Sequence, residues 1–262
     1  MLRQAQGAVK AAIADRHEII EVDFPVGSLL GVAGDGEGQN EMNGTMKYLR
    51  KFLTAFSDQA ESTRVFFPDN KELDIAVTGQ SMDPGAGRAE LDPIFANTKF
   101  KLGYLTKQNA AWALFGVNFD KWSPVQLVKE TDKLLFVAYP SFNPKEELGA
   151  TLELYQQKAK TDGIPIVIFN GELDRLRGGY YSPLFFPTIG KITEGLLPNI
   201  MTAYYVHNFK GSRPGVLFRC YPGPWTVMRR NPSSPDETRI IWTSDQPPTL
   251  KQVSLEILAS NL

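Results

Sequence analysis

Two runs, Leu134-Leu135-Phe136-Val137-Ala138-Tyr139 and Ile164-Pro165-Ile166-Val167-Ile168-Phe169, are apolar at nearly every position, so neither has a polar face to turn to water. As strands they need cover on both sides of a sheet. The segment between them supplies such cover. Asn143-Pro144 is a cap followed by a first-turn proline, and Leu148, Leu152 and Tyr155 recur at helical spacing. Buried strand, amphipathic helix, buried strand is a crossover unit of a parallel sheet, and such crossovers are right-handed.

The same alternation runs outward from this unit. Residues 2–16 predict a helix, and Ile19–Phe24 alternates apolar and acidic residues as a strand does. Met42, Met46, Leu49, Leu53 and Phe56 form one helical stripe. Then come a strand at Arg64–Pro68, a helix at 71–77, a strand at Phe100–Leu105 and a short helix from Pro124 to Lys129. A glycine-rich loop at 27–40 and stretches at 79–99 and 106–123, the last holding Trp112, Phe115, Phe119 and Trp122, lack clear periodicity and read as irregular insertions. The last third predicts a helix at 188–201, strands at 203–208, 216–221, 225–229 and 239–243, and a final helix at 250–258. These strands, separated by turns such as Lys210-Gly211 and Asn231-Pro232, either extend the sheet antiparallel or form a hairpin. The expectation is one α/β domain over 1–262: a mostly parallel open sheet with helices on both faces and antiparallel C-terminal edge strands.

Little of the usual catalytic machinery is present. There are 2 histidines and 1 cysteine, so a transition-metal centre with paired ligands is not expected, and no Gly-x-Ser-x-Gly elbow offers a nucleophile. Asp35–Asn40 lacks a third glycine and a Walker lysine-hydroxyl pair, and reads as a surface loop with a helix cap. An all-carboxylate magnesium site stays open, because it needs few protein ligands. No cofactor is expected. A net charge of −1 argues against nucleic acid. No run of about 18 apolar residues predicts a membrane span. Cys220, alone and inside a strand-like run, reads as a small buried hydrophobe of a reducing or redox-indifferent compartment.

Two stretches stand out as candidate sites. Asn170-Gly171-Glu172-Leu173-Asp174-Arg175-Leu176-Arg177 follows the most apolar strand, where open α/β sheets form ligand crevices. Its two arginines and two acids either pair internally to fix the loop, or hold an anion or partner; Asn170, Glu172, Asp174, Arg175 and Arg177 are the candidates. Phe218-Arg219-Cys220-Tyr221-Pro222-Gly223-Pro224-Trp225 forces a sharp turn between two amphipathic aromatics. It reads as a structural corner or a recognition surface, with Arg219, Tyr221, Gly223 and Trp225 as candidates. Arg219 is expected to pair with Asp174 or Glu172, or to stack on an aromatic face. Residues 171–239 hold nine Lys/Arg and five Asp/Glu, a net of +4, leaving −1 − 4 = −5 elsewhere. That mildly basic stretch suits an acidic partner or anionic lipid.

These motifs carry a resemblance. Phe218–Val227 and Asn170–Arg177 are similar to two signatures of a domain-of-unknown-function family of plastid and cyanobacterial proteins, the one that includes Low Photosystem II Accumulation protein three. Gln4–Asp15, Glu21–Pro25 and Phe66–Pro68 match in the same order, and Tyr204–Gly211 resembles the plant and algal branch. The resemblance implies a chloroplast protein, stromal or peripheral at the thylakoid, that assists photosystem II assembly by binding photosystem II subunits or other assembly factors. It implies no catalytic residues. Met1–Gln6 shows no signal or transit character, so plastid import rests on the resemblance alone. The residues alone leave a second reading, a nucleotide- or small-molecule-binding α/β protein.

Overall fold

A computed structural model describes residues 1–25, 39–79, 95, 97–107, 122–231 and 234–260, with backbone alone at 39–43 and 235–236. The glycine-rich loop and most of the insertions at 79–99 and 106–123 lie outside the described residues.

The strands are β1 (Ile19–Asp23), β2 (Thr63–Asp69), β3 (Lys101–Thr106), β4 (Leu134–Ala138), β5 (Ile166–Phe169), β6 (Ile200–Phe209), β7 (Gly215–Cys220), β8 (Trp225–Asn231) and β9 (Ser234–Ser244). They form one nine-stranded sheet in the order β3-β2-β4-β5-β1-β6-β7-β8-β9. All pairings from β3 to β6 are parallel, and β6 to β9 are antiparallel. The C-terminal strands thus extend the sheet and form no separate hairpin.

Helices α1 (Leu2–Ala14), α2 (Gln39–Leu53) and α3 (Asn70–Thr78) cover one face. On α1 the buried residues are Ala5, Ala8, Val9 and Ala12, a 3-1-3 spacing of mostly small side chains that lets the helix lie close to the sheet. Helices α4 (Pro144–Leu154) and α6 (Pro187–Leu196) cover the other, with the short α5 (Asp174–Arg177) between them in sequence. Along β5 the alternation is explicit: Val167 and Phe169 face the first core, Ile166 and Ile168 the second. A third cluster, Tyr205, Leu217, Trp225, Val227, Val253 and Leu258, lies where α7 (Leu250–Gln252) and the turn after it pack on the antiparallel strands.

Several local readings shift; β9 starts at Ser234 and not at 239, and the final α-helix ends at Gln252. Strand β5 starts at Ile166, not Ile164. The helix begun at Pro187 stops at Leu196, because Pro198 interrupts it and Ile200 already pairs with Ile19. At α4, Pro144 takes the first turn, but the Asn143 side chain does not cap. Instead buried Glu147 reaches back and accepts from the Phe142 and Asn143 amides at 3.1 and 2.9 Å.

Candidate functional site

The site is built where β5 and β1 end, beside the middle of β6. Asn170 leaves β5 with φ 52, a conformation that asparagine tolerates better than most residues. Its Oδ1 accepts from Phe24 N at 2.9 Å and its Nδ2 donates to Phe24 O at 3.3 Å, so the side chain continues the ladder for one more residue. Gly171 follows because a Cβ there would lie 2.7 Å from Ile168 Cγ2. Glu172 is also left-handed, at φ 49. This tight exit turns the chain back under the sheet, where Leu173 and Leu176 are buried and Asp174, Arg175 and Arg177 face outward or toward β1.

The charges on this turn are already matched. Arg175 pairs with Glu172 at 2.6 Å. Arg177 lies 3.4 Å from Asp174 but makes its main contacts with Glu21 on β1, a two-pronged pair at 2.9 and 2.6 Å. Thr202 Oγ1 on β6 donates to the same carboxylate at 2.7 Å. Asp174 Oδ2 accepts from Tyr205 OH at 2.5 Å, and His207 Nδ1 lies 3.6 Å away. Burial pushes the Asp174 carboxyl up, but nearby His207, the bond from Tyr205 and the Arg177 charge outweigh it and hold it below its ordinary range. Half-buried Asp23 goes the other way. Desolvation, then the charges of Glu21 and Asp174, raise it well above the usual carboxylate range.

The second motif reaches the same network. Tyr205 packs edge-on against Trp225 at 5.4 Å. The Arg219 guanidinium lies 5.9 Å from the Trp225 ring and 5.8 Å from the Tyr221 ring, and its Nη1 donates to Gly223 O. Tyr221 OH donates to Asp15 Oδ2 at 2.7 Å, tying this corner to the end of α1. The Tyr221–Pro222 peptide is cis, and Gly223 N donates to Cys220 O at 2.9 Å. Arg219 therefore stacks as expected and pairs with neither Asp174 nor Glu172. Arg219 and Trp225 are buried and Tyr221 and Gly223 half-buried, while Pro222 and Pro224 at the tip of the turn are exposed. Cys220 is half-buried, and desolvation raises its thiol.

The two motifs meet through Tyr205, which the sequence did not single out. Nor did it single out Glu21. An acid in an alternating strand reads as solvent-facing, but β1 is central and its acid is enclosed. The signal was available: both faces of a mid-sheet parallel strand are covered, so its acid needs a cation. Chemically, the network couples Asp23, whose carboxyl burial raises, to Asp174, whose carboxyl its partners lower. The Asp174 oxygens are committed to Tyr205 and Arg177, so the arrangement locks α5 onto β1 and β6. Among the described residues no group of three His, Cys, Asp or Glu side chains is set to hold a metal ion.

Held out by this lock is a second missed feature. Between α5 and α6, Tyr180, Leu184, Phe185 and Phe186 are 76, 82, 76 and 46% exposed. The run Tyr-Tyr-Ser-Pro-Leu-Phe-Phe-Pro has no helical or strand period; Pro183 interrupts it, and Pro187 opens α6. Apolar residues without a period, between a Gly-Gly pair and a helix start, were the legible cue.

Fold and site together define an α/β protein whose mixed open sheet carries an internally neutralised charge lock and an exposed aromatic knuckle beside it. The chain belongs to the family described as domain of unknown function DUF1995, whose model matches residues 1–255. No curated protein and no solved structure matches it.

Proposed function

We propose that the protein is a non-catalytic accessory factor that docks on a thylakoid protein subunit and assists photosystem II assembly or accumulation in the chloroplast. The observation that carries the docking part is the knuckle of Tyr180, Leu184, Phe185 and Phe186, an exposed apolar group with Arg175 at its base. Contiguous apolar surface rimmed by charge marks interaction sites, and aromatic residues and arginine are the side chains that anchor them. The chloroplast and photosystem parts rest on the resemblance of the Asn170–Arg177 and Phe218–Val227 motifs. Those motifs would then matter by presenting the knuckle. No helix among the described residues is long and apolar enough to cross a membrane, so contact with a thylakoid subunit would be made from the surface.

The test is capture from detergent-solubilised thylakoids on the immobilised chain. The expected result is photosystem II subunits retained by the wild type and lost by Leu184→Asp/Phe185→Asp, a pair exposed enough to leave folding intact. Equal capture by both proteins, or none by the wild type, would remove this reading.

One observation favours the second reading, a small-molecule-binding protein. A cavity of about 220 Å³ lies between the end of α2 and the segment before β3, lined by Arg50, Leu53, Ser57, Phe95, Lys99 and Phe100. A thermal-shift screen with nucleotides and sugar phosphates tests it, since a ligand held by the folded state raises the melting temperature.

A further inference from the structure

Arg64 and Arg219 are buried to nearly the same degree, 7 and 8% exposed, but their charges are met differently. The Asp132 carboxylate meets Arg64 at 2.8 Å. No carboxylate among the described residues pairs with Arg219. Its Nη1 donates to Gly223 O, and its guanidinium lies over the rings of Tyr221 and Trp225, at 5.8 and 5.9 Å. Its Nε is enclosed without a partner, whereas Nη2, which also bonds nothing among the described residues, is not enclosed. A carbonyl and two rings soften the burial of a guanidinium but do not neutralise it. Burial accordingly lowers the Arg219 pKa, against the charge of Asp245, an exposed acid that acts on it from beyond pairing distance. Pro222 and Pro224 flank the glycine whose carbonyl holds Nη1, and both are exposed. The charged end of Arg219 therefore lies just beneath a surface turn.

We propose that Arg219 is a receptor for a carboxylate, carried by an acidic segment of a partner protein that lies on the Pro222–Pro224 turn. The charge selects the ligand. The groups acting on Arg219 include an acid and no cation, so one guanidinium meets one negative charge. A phosphate dianion is instead held by clusters of arginines. The small opening selects the carrier. One open nitrogen is too little to hold a free ion against water. The carboxylate has to arrive on a chain that gains further contact from the exposed prolines. Arginine among aromatic rings in an enclosed place is also a usual anchor of protein interfaces. The surrounding stretch agrees in sign, since residues 171–239 carry a net of +4. The site shares no residue with the knuckle, and its test needs no thylakoid extract, so the two readings fail separately.

The experiment follows the arginine Nε–H signals of the isotope-labelled full chain by NMR while hexaglutamate is added. The Arg219 signal, assigned through its backbone, is expected to move and to saturate with a midpoint of about 1 mM, as suits one ion pair with few neighbours. The Arg64 signal is expected to stay, because Asp132 already meets it. Asp245→Asn removes the competing acid and is expected to tighten binding about threefold. Arg219→Lys puts a point charge in place of a planar fork and is expected to weaken binding about fivefold or more, read at the Gly223 amide. An Arg219 signal that hexaglutamate leaves in place, one that inorganic phosphate at equal ionic strength moves as far, or an Asp245→Asn protein that binds no tighter than wild type would each overturn the proposal. Wild type and Asp245→Asn decide the matter even if Arg219→Lys does not fold.

Discussion

Glu21 and Arg177 show how one residue can decide whether a motif is a site or a support. A carboxylate enclosed on a central strand is costly unless a cation meets it, and Arg177 meets it with both prongs. Removing Arg177 leaves the Glu21 charge enclosed without its counterpart, whereas Arg177 itself still reaches water. Arg177→Met is therefore expected to destabilise the fold by about 3 kcal/mol, and Glu21→Gln by clearly less. The double variant is expected to cost clearly less than the sum, because it leaves no orphan charge. Urea unfolding of the four proteins measures the coupling; strictly additive losses would show that the pair is not a unit. The arginine-acid pattern of 170–177 was legible as an ion-paired turn, but its main partner was not. Glu21 precedes Arg177 by 156 positions, and no local pattern connects them.

At the scale of elements, the sheet and helices were readable because β4 and β5 are apolar throughout and the longer helices carry one stripe. What sequence could not place were details set by competition at element ends. Asn143 is a good capping residue, yet Glu147 one turn later takes that work and is buried by doing so. Burial pushes the Glu147 carboxyl up to about 7, against the bonds from Asn143 and Phe142 that favour its charge. A carboxyl raised in the folded state binds its proton more tightly there than in the unfolded chain. Stability therefore falls as pH rises from about 4.5 to about 7, by about 3 kcal/mol in total, and levels off above. Glu147→Gln, which cannot titrate, is expected to flatten that part of the stability-versus-pH curve, as followed by urea midpoints. An unchanged slope would assign it to other groups, Asp23 first among them, since it too is raised. The knuckle between α5 and α6 belongs to this scale as well. Its lack of period marked it as neither helix nor strand, but gave no sign that its rings would face solvent.

For the whole molecule, the third core cluster is joined to the rest through the sheet and not through a linker. Tyr205 belongs to that cluster, yet bonds Asp174 on the parallel side. The parallel and antiparallel parts are therefore expected to unfold together. Far-ultraviolet circular dichroism and tryptophan fluorescence, the latter reporting partly from Trp225 and Trp242, should give superimposable transitions. An earlier fluorescence transition would instead mark the C-terminal strands as a separate unit. The order of strands has a further consequence, for synthesis. β1, made before the other strands, sits in the middle of the finished sheet, between β5 and β6. Its neighbours across the site are contacts between positions 146 and 181 residues apart. Until those late strands exist, the first strand has no lateral partner and its apolar side chains no second wall. A growing chain must therefore carry an unfinished centre for most of its length, which makes folding slow and its nascent form a natural client for chaperones.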